Sequence, residues 1–321
     1  MTARRYRCVC LSTMLDLKAI FGGGFARHAP QVDLLEPEEA LAAPETVDFA
    51  LAWKPAPDAF RPFPNLAFVS SIAAGVDNIL ACPSLPPGLP VLRVRDDDQA
   101  RMMAGFAAWH VLWHHRGMAT YIAQQRVALW RRVMEKRPAG DVRVAVLGFG
   151  HMGRVTAGVL AGLGYDVRAL ARRAPDPALV PDGVTIVSGP DGTARIAARA
   201  DMLINLLPLT DDTRGILSGA LFDRMPMGSV LIQLGRGEHL VEDDLTAALD
   251  SGRIAAASLD VFAVEPLPPE HRFWHDPRIL ITPHEASEPN RDALARHIAA
   301  ATDRLEAGEL IPTMVDRQAG Y

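Results

Sequence analysis

Cysteine is scarce in this chain, with only Cys8, Cys10 and Cys82 among 321 residues. Three thiols are too few for a disulfide framework, and Cys8 and Cys10 would share one face of a single strand, so all three read as reduced, core-type residues. No apolar run reaches transmembrane length, and the opening Met1-Thr-Ala-Arg-Arg-Tyr-Arg7 leads into a short strand without a signal-like hydrophobic region or cleavage site. The expectation is a cytoplasmic protein that does not engage a membrane. An excess of one charge is also missing: the net charge is -5, with acidic and basic residues interspersed. That argues against a nucleic-acid or anionic-lipid surface and leaves a small molecule as the expected partner. Neither internal repeats nor low-complexity segments occur. What remains is an ordinary globular composition, 49% hydrophobic and 22% charged, in a chain long enough to favour two domains over one.

The most informative stretch runs from Asp141 to Gly164. Val142, Val144, Ala145, Val146 and Leu147 form the near-continuous apolar run of a parallel strand covered on both faces. Gly148-Phe-Gly-His-Met-Gly153 follows, and then Val155, Val159, Leu160 and Leu163 recur at helical spacing before Gly164. In a dinucleotide-binding turn, Gly148 permits the tight bend, Gly150 lets the backbone approach a pyrophosphate, and Gly153 lets helix and strand pack closely. The helix N-terminus then holds the phosphates. The next strand, Asp166 to Leu170, ends in Ala171-Arg172-Arg173, where an acidic residue would bind the ribose 2′-hydroxyl of NAD. Arginines there, without the carboxylate, favour NADPH over NADH through charge-assisted bonds to the 2′-phosphate; the alternative is a pair of solvated loop charges.

Elsewhere strands alternate with helices, the pattern of βαβ units and parallel sheets. Strands are expected at Tyr6 to Leu15, Gln31 to Leu35, Val47 to Trp53, Leu66 to Ser70 and Val91 to Val94, with Asp16 to Phe25 a short helical or loop segment ending in Gly22-Gly23-Gly24. Ser70 to Ile79 puts a small, glycine-containing loop after a strand, where ligands bind in open α/β sheets. Met102 to Gly117 is apolar nearly all round and reads as a buried helix. Its His110 and His114, four apart, read as packed or interfacial histidines ahead of a metal pair, because no acidic or Cys partner is near in sequence. Tyr121 to Lys136 reads as a second, more basic helix containing Trp130. Further strands are expected at Met202 to Leu207, Ser229 to Leu234, Ala255 to Val261 and Ile279 to Thr282, with helices at Leu240 to Leu249 and Arg291 to Leu305. Three of these strand ends deliver Arg236, Glu265 and His284 into loops, on the side of the sheet where a nicotinamide would lie.

With these residues in view, the chain strongly resembles the D-2-hydroxyacid dehydrogenase family. The matching segments are Gly148-Phe-Gly-His-Met-Gly153, Asn205-Leu-Leu-Pro-Leu-Thr210, Arg236-Gly237, Leu259-Asp-Val-Phe262, Glu265-Pro-Leu-Pro268 and Thr282-Pro-His284. Within the family it looks most like the glyoxylate/hydroxypyruvate reductase A type, through Leu51-Ala-Trp-Lys-Pro55, the two arginines, Val315-Asp-Arg317 and Gly320-Tyr321. The resemblance implies an α/β fold of two Rossmann-like or flavodoxin-like domains with parallel sheets and an active site in the interdomain cleft. Residues 1–103 and 288–321 would form the substrate-binding, flavodoxin-like domain, and residues 104–287 the dinucleotide-binding Rossmann domain. It also implies a homodimer formed through the Tyr121 to Lys136 region.

Reduction of a 2-oxo acid needs a carboxylate anchor, a hydride donor and a proton donor. The resemblance gives Arg236 the first role, through its fork of donors, and His284 the role of general acid. Glu265 would orient the imidazole and stabilise its protonated form. Cofactor contacts are implied at Gly148, Gly150, His151, Met152, Gly153, Arg172, Arg173, Leu207, Pro208, Thr210, Leu234 and Asp260; a turn or N-cap role is the alternative for Asp260. Trp53, Lys54, Gly75 and Val76 correspond to positions lining the substrate pocket, with core packing the rival for Trp53. The sequence departs from the family at Gln233-Leu-Gly235, where Asn, an apolar residue and Ala are commoner. Gly105 replaces a common acidic residue, and Glu285 follows His284 where an apolar residue is usual. The expected activity is NADPH-preferring reduction of glyoxylate or hydroxypyruvate. The alternatives are a dehydrogenase of a larger 2-hydroxy acid and a non-catalytic NAD(P)-sensing protein.

Overall fold

The computed structural model describes residues 4–134, 137–317 and 320. Met1 to Ala3, the expected helix end at Lys136 and the terminal Tyr321 lie outside the described residues. The chain forms two compact units, residues 1–99 with 288–321, and residues 100–287.

The first unit contains β1 (Tyr6–Ser12), α1 (Leu17–His28), β2 (Val32–Leu35), α2 (Pro37–Leu41), β3 (Phe49–Trp53), β4 (Val69–Ser71), α3 (Asp77–Leu80) and β5 (Val91–Leu92). Its sheet is parallel, in the order β2-β1-β3-β4-β5, the doubly wound order of flavodoxin-like folds. Strands β1 and β3 are buried almost throughout, as apolar runs covered on both faces should be. α4 (Asp97–Arg116) carries the chain into the second unit, where α5 (Met118–Arg126), β6 (Arg143–Leu147), α6 (His151–Gly162), β7 (Asp166–Leu170), β8 (Val184–Val187), α7 (Gly192–Ala197), β9 (Met202–Asn205), α8 (Gly219–Phe222), β10 (Ser229–Gln233), α9 (Glu242–Asp250), β11 (Ile254–Leu259) and β12 (Ile279–Ile281) follow. This sheet is also parallel, in the order β12-β11-β10-β9-β6-β7-β8, so the strand order reverses between β6 and β9. Such a switch point is where dinucleotides bind. α10 (Arg291–Ala307), capped by Asn290, returns to the first unit and packs on α1. The tail adds Val315 to that unit's core.

Three local expectations change. The segment with Gly22-Gly23-Gly24 is helical through to His28, because α1 packs tightly on the start of α10: a Cβ at Gly24 would lie 2.7 Å from the Arg291 carbonyl oxygen. α4 is not buried all round. Its small face, Ala104, Ala107, Ala108 and Val111, enters the core, while Met102, Trp109 and Leu112 stay exposed. Finally, the second helix stops at Arg126, and residues 127–134 are non-helical with Trp130 97% exposed. Short helices are marginal in water unless an apolar face is packed, and the large side chains of this segment are not packed within the described chain.

Candidate active site

The site in the second unit is built at the carboxyl ends of its strands. After β6 the chain turns at Gly148, whose φ of +101° suits glycine, and a Cβ there would lie 2.8 Å from the Leu206 carbonyl oxygen. Gly150 caps α6 and faces open space within 4 Å of where a Cβ would stand, which leaves its backbone approachable by a phosphate. Gly153 is forced by packing, since a Cβ would sit 1.8 Å from the Gly148 carbonyl oxygen. His151 and Met152 form the first turn of α6. At the end of β7, Ala171 is buried while Arg172 and Arg173 are exposed. These residues fit a dinucleotide carrying a 2′-phosphate: an open glycine approach, a helix N-terminus for the pyrophosphate and two cations at the second strand end.

Past β9, Leu207, Pro208 and Thr210 form a loop in which Leu207 N–H donates to Asn205 Oδ1 at 3.2 Å and Thr210 N–H to Thr213 Oγ1 at 2.8 Å. Leu234, immediately after β10, is 4% exposed. Arg236 is half-buried, with its guanidinium donating to the Gly235 carbonyl at 2.8 Å. Gly237 presses this turn onto the loop after β11, as a Cβ would lie 1.8 Å from the Phe262 carbonyl carbon. From that loop Glu265 reaches the imidazole. Its Oε1 accepts from Phe262 N–H at 3.2 Å, and its two oxygens lie 3.1 and 3.0 Å from His284 Nδ1.

His284 itself adopts a left-handed backbone, φ +60°. Such a conformation costs a non-glycine residue about 1–2 kcal/mol and needs local support. Asp260, 1% exposed, supplies it: Oδ1 accepts from Thr282 Oγ1 at 2.6 Å and Glu285 N–H at 2.9 Å, Oδ2 accepts from Ala286 N–H at 3.0 Å, and the Asp260 carbonyl accepts from His284 N–H at 2.8 Å. Both sequence alternatives for Asp260 meet this geometry differently, because its carboxylate is already engaged in the turn that carries the histidine. The Glu285 side chain is exposed.

Arg236, Glu265, His284 and Asp260 thus belong to three loops stitched together in the second unit. Trp53, Lys54, Gly75 and Val76 belong to the first unit. There Lys54, φ +44°, donates its N–H to Asn78 Oδ1 at 2.9 Å and accepts from Thr13 Oγ1 at 2.8 Å, which ties the end of β3 to the first turn of α3 and to the residue after β1. Gly75 accepts from Ser71 Oγ at 2.6 Å, Val76 is buried and Trp53 packs partly against the core. His110 and His114 both bond Ser258 Oγ on β11, at 2.9 and 2.8 Å, and burial pushes both rings down to about 4.

Sequence reasoning marked Gln233 only as a departure from the family and did not single out His239; with Asn205 these two form a fully buried polar cluster beneath Arg236. The signal was present in the polar residues Asn205 and Gln233 that end two otherwise apolar strands, Met202–Asn205 and Ser229–Gln233.

Residues 108–286 match the D-isomer specific 2-hydroxyacid dehydrogenase NAD binding domain. The chain belongs to the D-isomer specific 2-hydroxyacid dehydrogenase family. It is 38% identical over 303 residues to glyoxylate/hydroxypyruvate reductase A of Serratia proteamaculans, spanning 93% of this chain and 95% of that protein. Its fold matches a D-isomer specific 2-hydroxyacid dehydrogenase from Xanthobacter autotrophicus Py2, solved with NADPH and MES, with a TM-score of 0.91 and 35% identity over 99% of this chain and 100% of that one. It also matches the NADPH-dependent glyoxylate/hydroxypyruvate reductase of Sinorhizobium meliloti, solved with NADP and sulfate, with a TM-score of 0.90 and 34% identity over 99% and 100% of the two chains.

Proposed function

We propose that the protein is an NADPH-preferring reductase of a small 2-oxo acid, glyoxylate or hydroxypyruvate. The observation that carries the mechanism is the Glu265–His284 pair, at 3.0 Å, on a turn braced by Asp260. With Nδ1 engaged by the carboxylate, Nε2 is the ring nitrogen that hands a proton to the substrate oxygen. Arg236 binds the substrate carboxylate through its fork of donors and stabilises charge developing on the carbonyl oxygen. Gly148, Gly150, His151, Met152 and Gly153 would hold the pyrophosphate, and Arg172 and Arg173 the 2′-phosphate. Leu207, Pro208, Thr210 and Leu234 would border the rest of the cofactor, and Asp260 acts chiefly by fixing the His284 turn. The bound nicotinamide supplies the hydride. Residues 1–99 with 288–321 would provide the substrate walls through Trp53, Lys54, Gly75 and Val76. A non-catalytic nucleotide sensor has no use for the paired acid and base.

A homodimer formed through the Tyr121 to Lys136 region is supported by the large apolar side chains exposed among its described residues: Ile122, Val127, Leu129, Trp130, Val133 and Met134. Among the described residues no helix is long and apolar enough to cross a membrane. The three buried free thiols suit a reducing compartment, and the reading is cytoplasmic.

The test is loss of reduced-nicotinamide absorbance with NADPH or NADH against a panel of 2-oxo acids. Turnover of glyoxylate or hydroxypyruvate is expected, with kcat in His284→Gln lower by about 10² to 10⁴. Turnover by that variant at the wild-type rate would remove His284 from its role.

A further inference from the structure

Beneath Arg236 lie three polar side chains, Asn205, Gln233 and His239, each with no solvent exposure. Their hydrogen bonds close on one another. Asn205 Nδ2 donates to Gln233 Oε1 at 2.8 Å and lies 2.9 Å from His239 Nδ1. Gln233 Oε1 also accepts from Gly235 N–H at 3.2 Å, while Gln233 Nε2 donates to the Arg236 carbonyl at 2.8 Å. His239 Nδ1 accepts from Arg236 N–H at 3.1 Å, and His239 Nε2 lies 3.2 Å from the Pro208 carbonyl. Asn205 Oδ1 accepts from Leu207 N–H at 3.2 Å.

These partners determine the tautomer. Nδ1 faces two N–H donors, so it carries the lone pair, and Nε2 carries the proton it gives to Pro208. Both main-chain groups of Arg236 are then held by side chains of the cluster, its N–H by His239 and its carbonyl by Gln233. The same cluster holds Leu207 and Pro208. Both Asn205 N–H groups are used, and a Cβ on Gly235 would lie 2.8 Å from Asn205 Nδ2 and 2.9 Å from His239 Nδ1. The Asn205 and His239 side chains thus leave no room for a side chain at Gly235.

We infer that Asn205, Gln233 and His239 are positioning residues which lock the Arg236 loop and the 207–210 loop into one piece, with His239 as the joint between substrate anchor and cofactor loop. The inference rests on the reductase reading for what the two loops hold. Its geometry predicts that the two arms of His239 separate by substitution. In His239→Asn the side-chain oxygen replaces Nδ1, so Arg236 stays held and the arm to Pro208 is lost. In His239→Gln the longer amide replaces Nε2–H, so the Pro208 arm stays and Arg236 is released.

The experiment measures KM for NADPH and for the 2-oxo acid in both variants, alongside NADPH affinity by fluorescence titration. His239→Asn should raise KM and Kd for NADPH about tenfold and leave the 2-oxo acid KM within about twofold; His239→Gln should do the reverse, a neutral hydrogen bond being worth up to roughly tenfold. Equal loss of both constants in both variants, or no change in either, would overturn the joint. A folded Gly235→Ala protein, which drives a methyl into the cluster without removing a partner, should raise both constants together, and wild-type values there would also refute the inference. If the wild type binds NADPH but reduces no 2-oxo acid, the functional reading fails by itself. The NADPH titrations of the two His239 variants then still decide the cofactor arm.

Discussion

Acid should destabilise the second unit through two desolvated imidazoles, His110 fully buried and His114 half-buried. Burial holds His110 near 4, with the neighbouring His114 adding to the effect, and burial alone holds His114 near 4, against an ordinary value of 6.5. The rings of Phe106 and Trp109 lie steeply inclined to His110, at 70° and 79°, and both histidines share the hydroxyl of Ser258. Neither ring gains a proton in the native state until the pH approaches 4, whereas in the unfolded chain both gain one near 6.5. The unfolded state therefore binds more protons throughout that window, and stability falls as pH drops from about 6.5 to about 4. Each ring contributes up to about 1.36 kcal/mol per pH unit, on the order of 3 kcal/mol across the window, and repulsion from a charged His114 is part of what keeps His110 neutral. Urea unfolding of wild type, His114→Gln and His110→Asn at pH 7, 6 and 5 isolates the effect. Each single variant should lose about one proton's worth of slope, while His297, also lowered by burial, keeps its share in all three proteins. Variants with the wild-type slope between pH 6 and 5 would refute the reasoning.

Two further outcomes follow. Replacing Arg172 and Arg173 by Ser should weaken NADPH, measured as its KM, by about tenfold or more for each arginine that bonds the 2′-phosphate, and leave NADH nearly untouched; equal losses for both nucleotides would assign the arginines to solvent. Trp130→Glu should turn a dimer into a monomer in sedimentation velocity without changing the thermal midpoint of the isolated unit by more than a few degrees, and a wild type that already sediments as a monomer would end the dimer reading.

What the sequence makes legible is what short-range chemistry decides. The run Val142 to Leu147, the spacing of Gly148, Gly150 and Gly153 and the helix after them all draw on neighbours within a dozen residues, and β6, its turn and α6 lie where that pattern puts them. Arg236, Glu265 and His284 were legible for a related reason, as chemistry-bearing residues just beyond buried strands. The misreadings have longer-range causes. Asp16 to Phe25 stays open between helix and loop until α10, more than 260 positions on, is seen to need the close approach that Gly24 allows. α4 looks buried all round because composition does not say which face meets the sheet. Residues 127–134 read as the continuation of a basic helix from Tyr121, and the described chain supplies no surface on which their large apolar side chains pack.

The polar cluster under Arg236 shows why a site is harder to read than the fold around it. Asn205 heads a family-matching segment and Gln233 departs from the family, but neither position tells in sequence what it holds, and His239 follows a glycine turn with nothing to mark it. Their meaning lies in pairing across β9 and β10, where Gln233 stands beside Asn205 in register, and in a histidine that reaches both loops. The same logic applies to Asp260, whose carboxylate sits in the chain as a strand end and in space as the brace of the His284 turn. Residues that touch a substrate can be recognised from chemical type, because the reaction dictates the type. Residues that hold those residues still are dictated by backbone groups of other loops, so they become visible only when the loops are brought together.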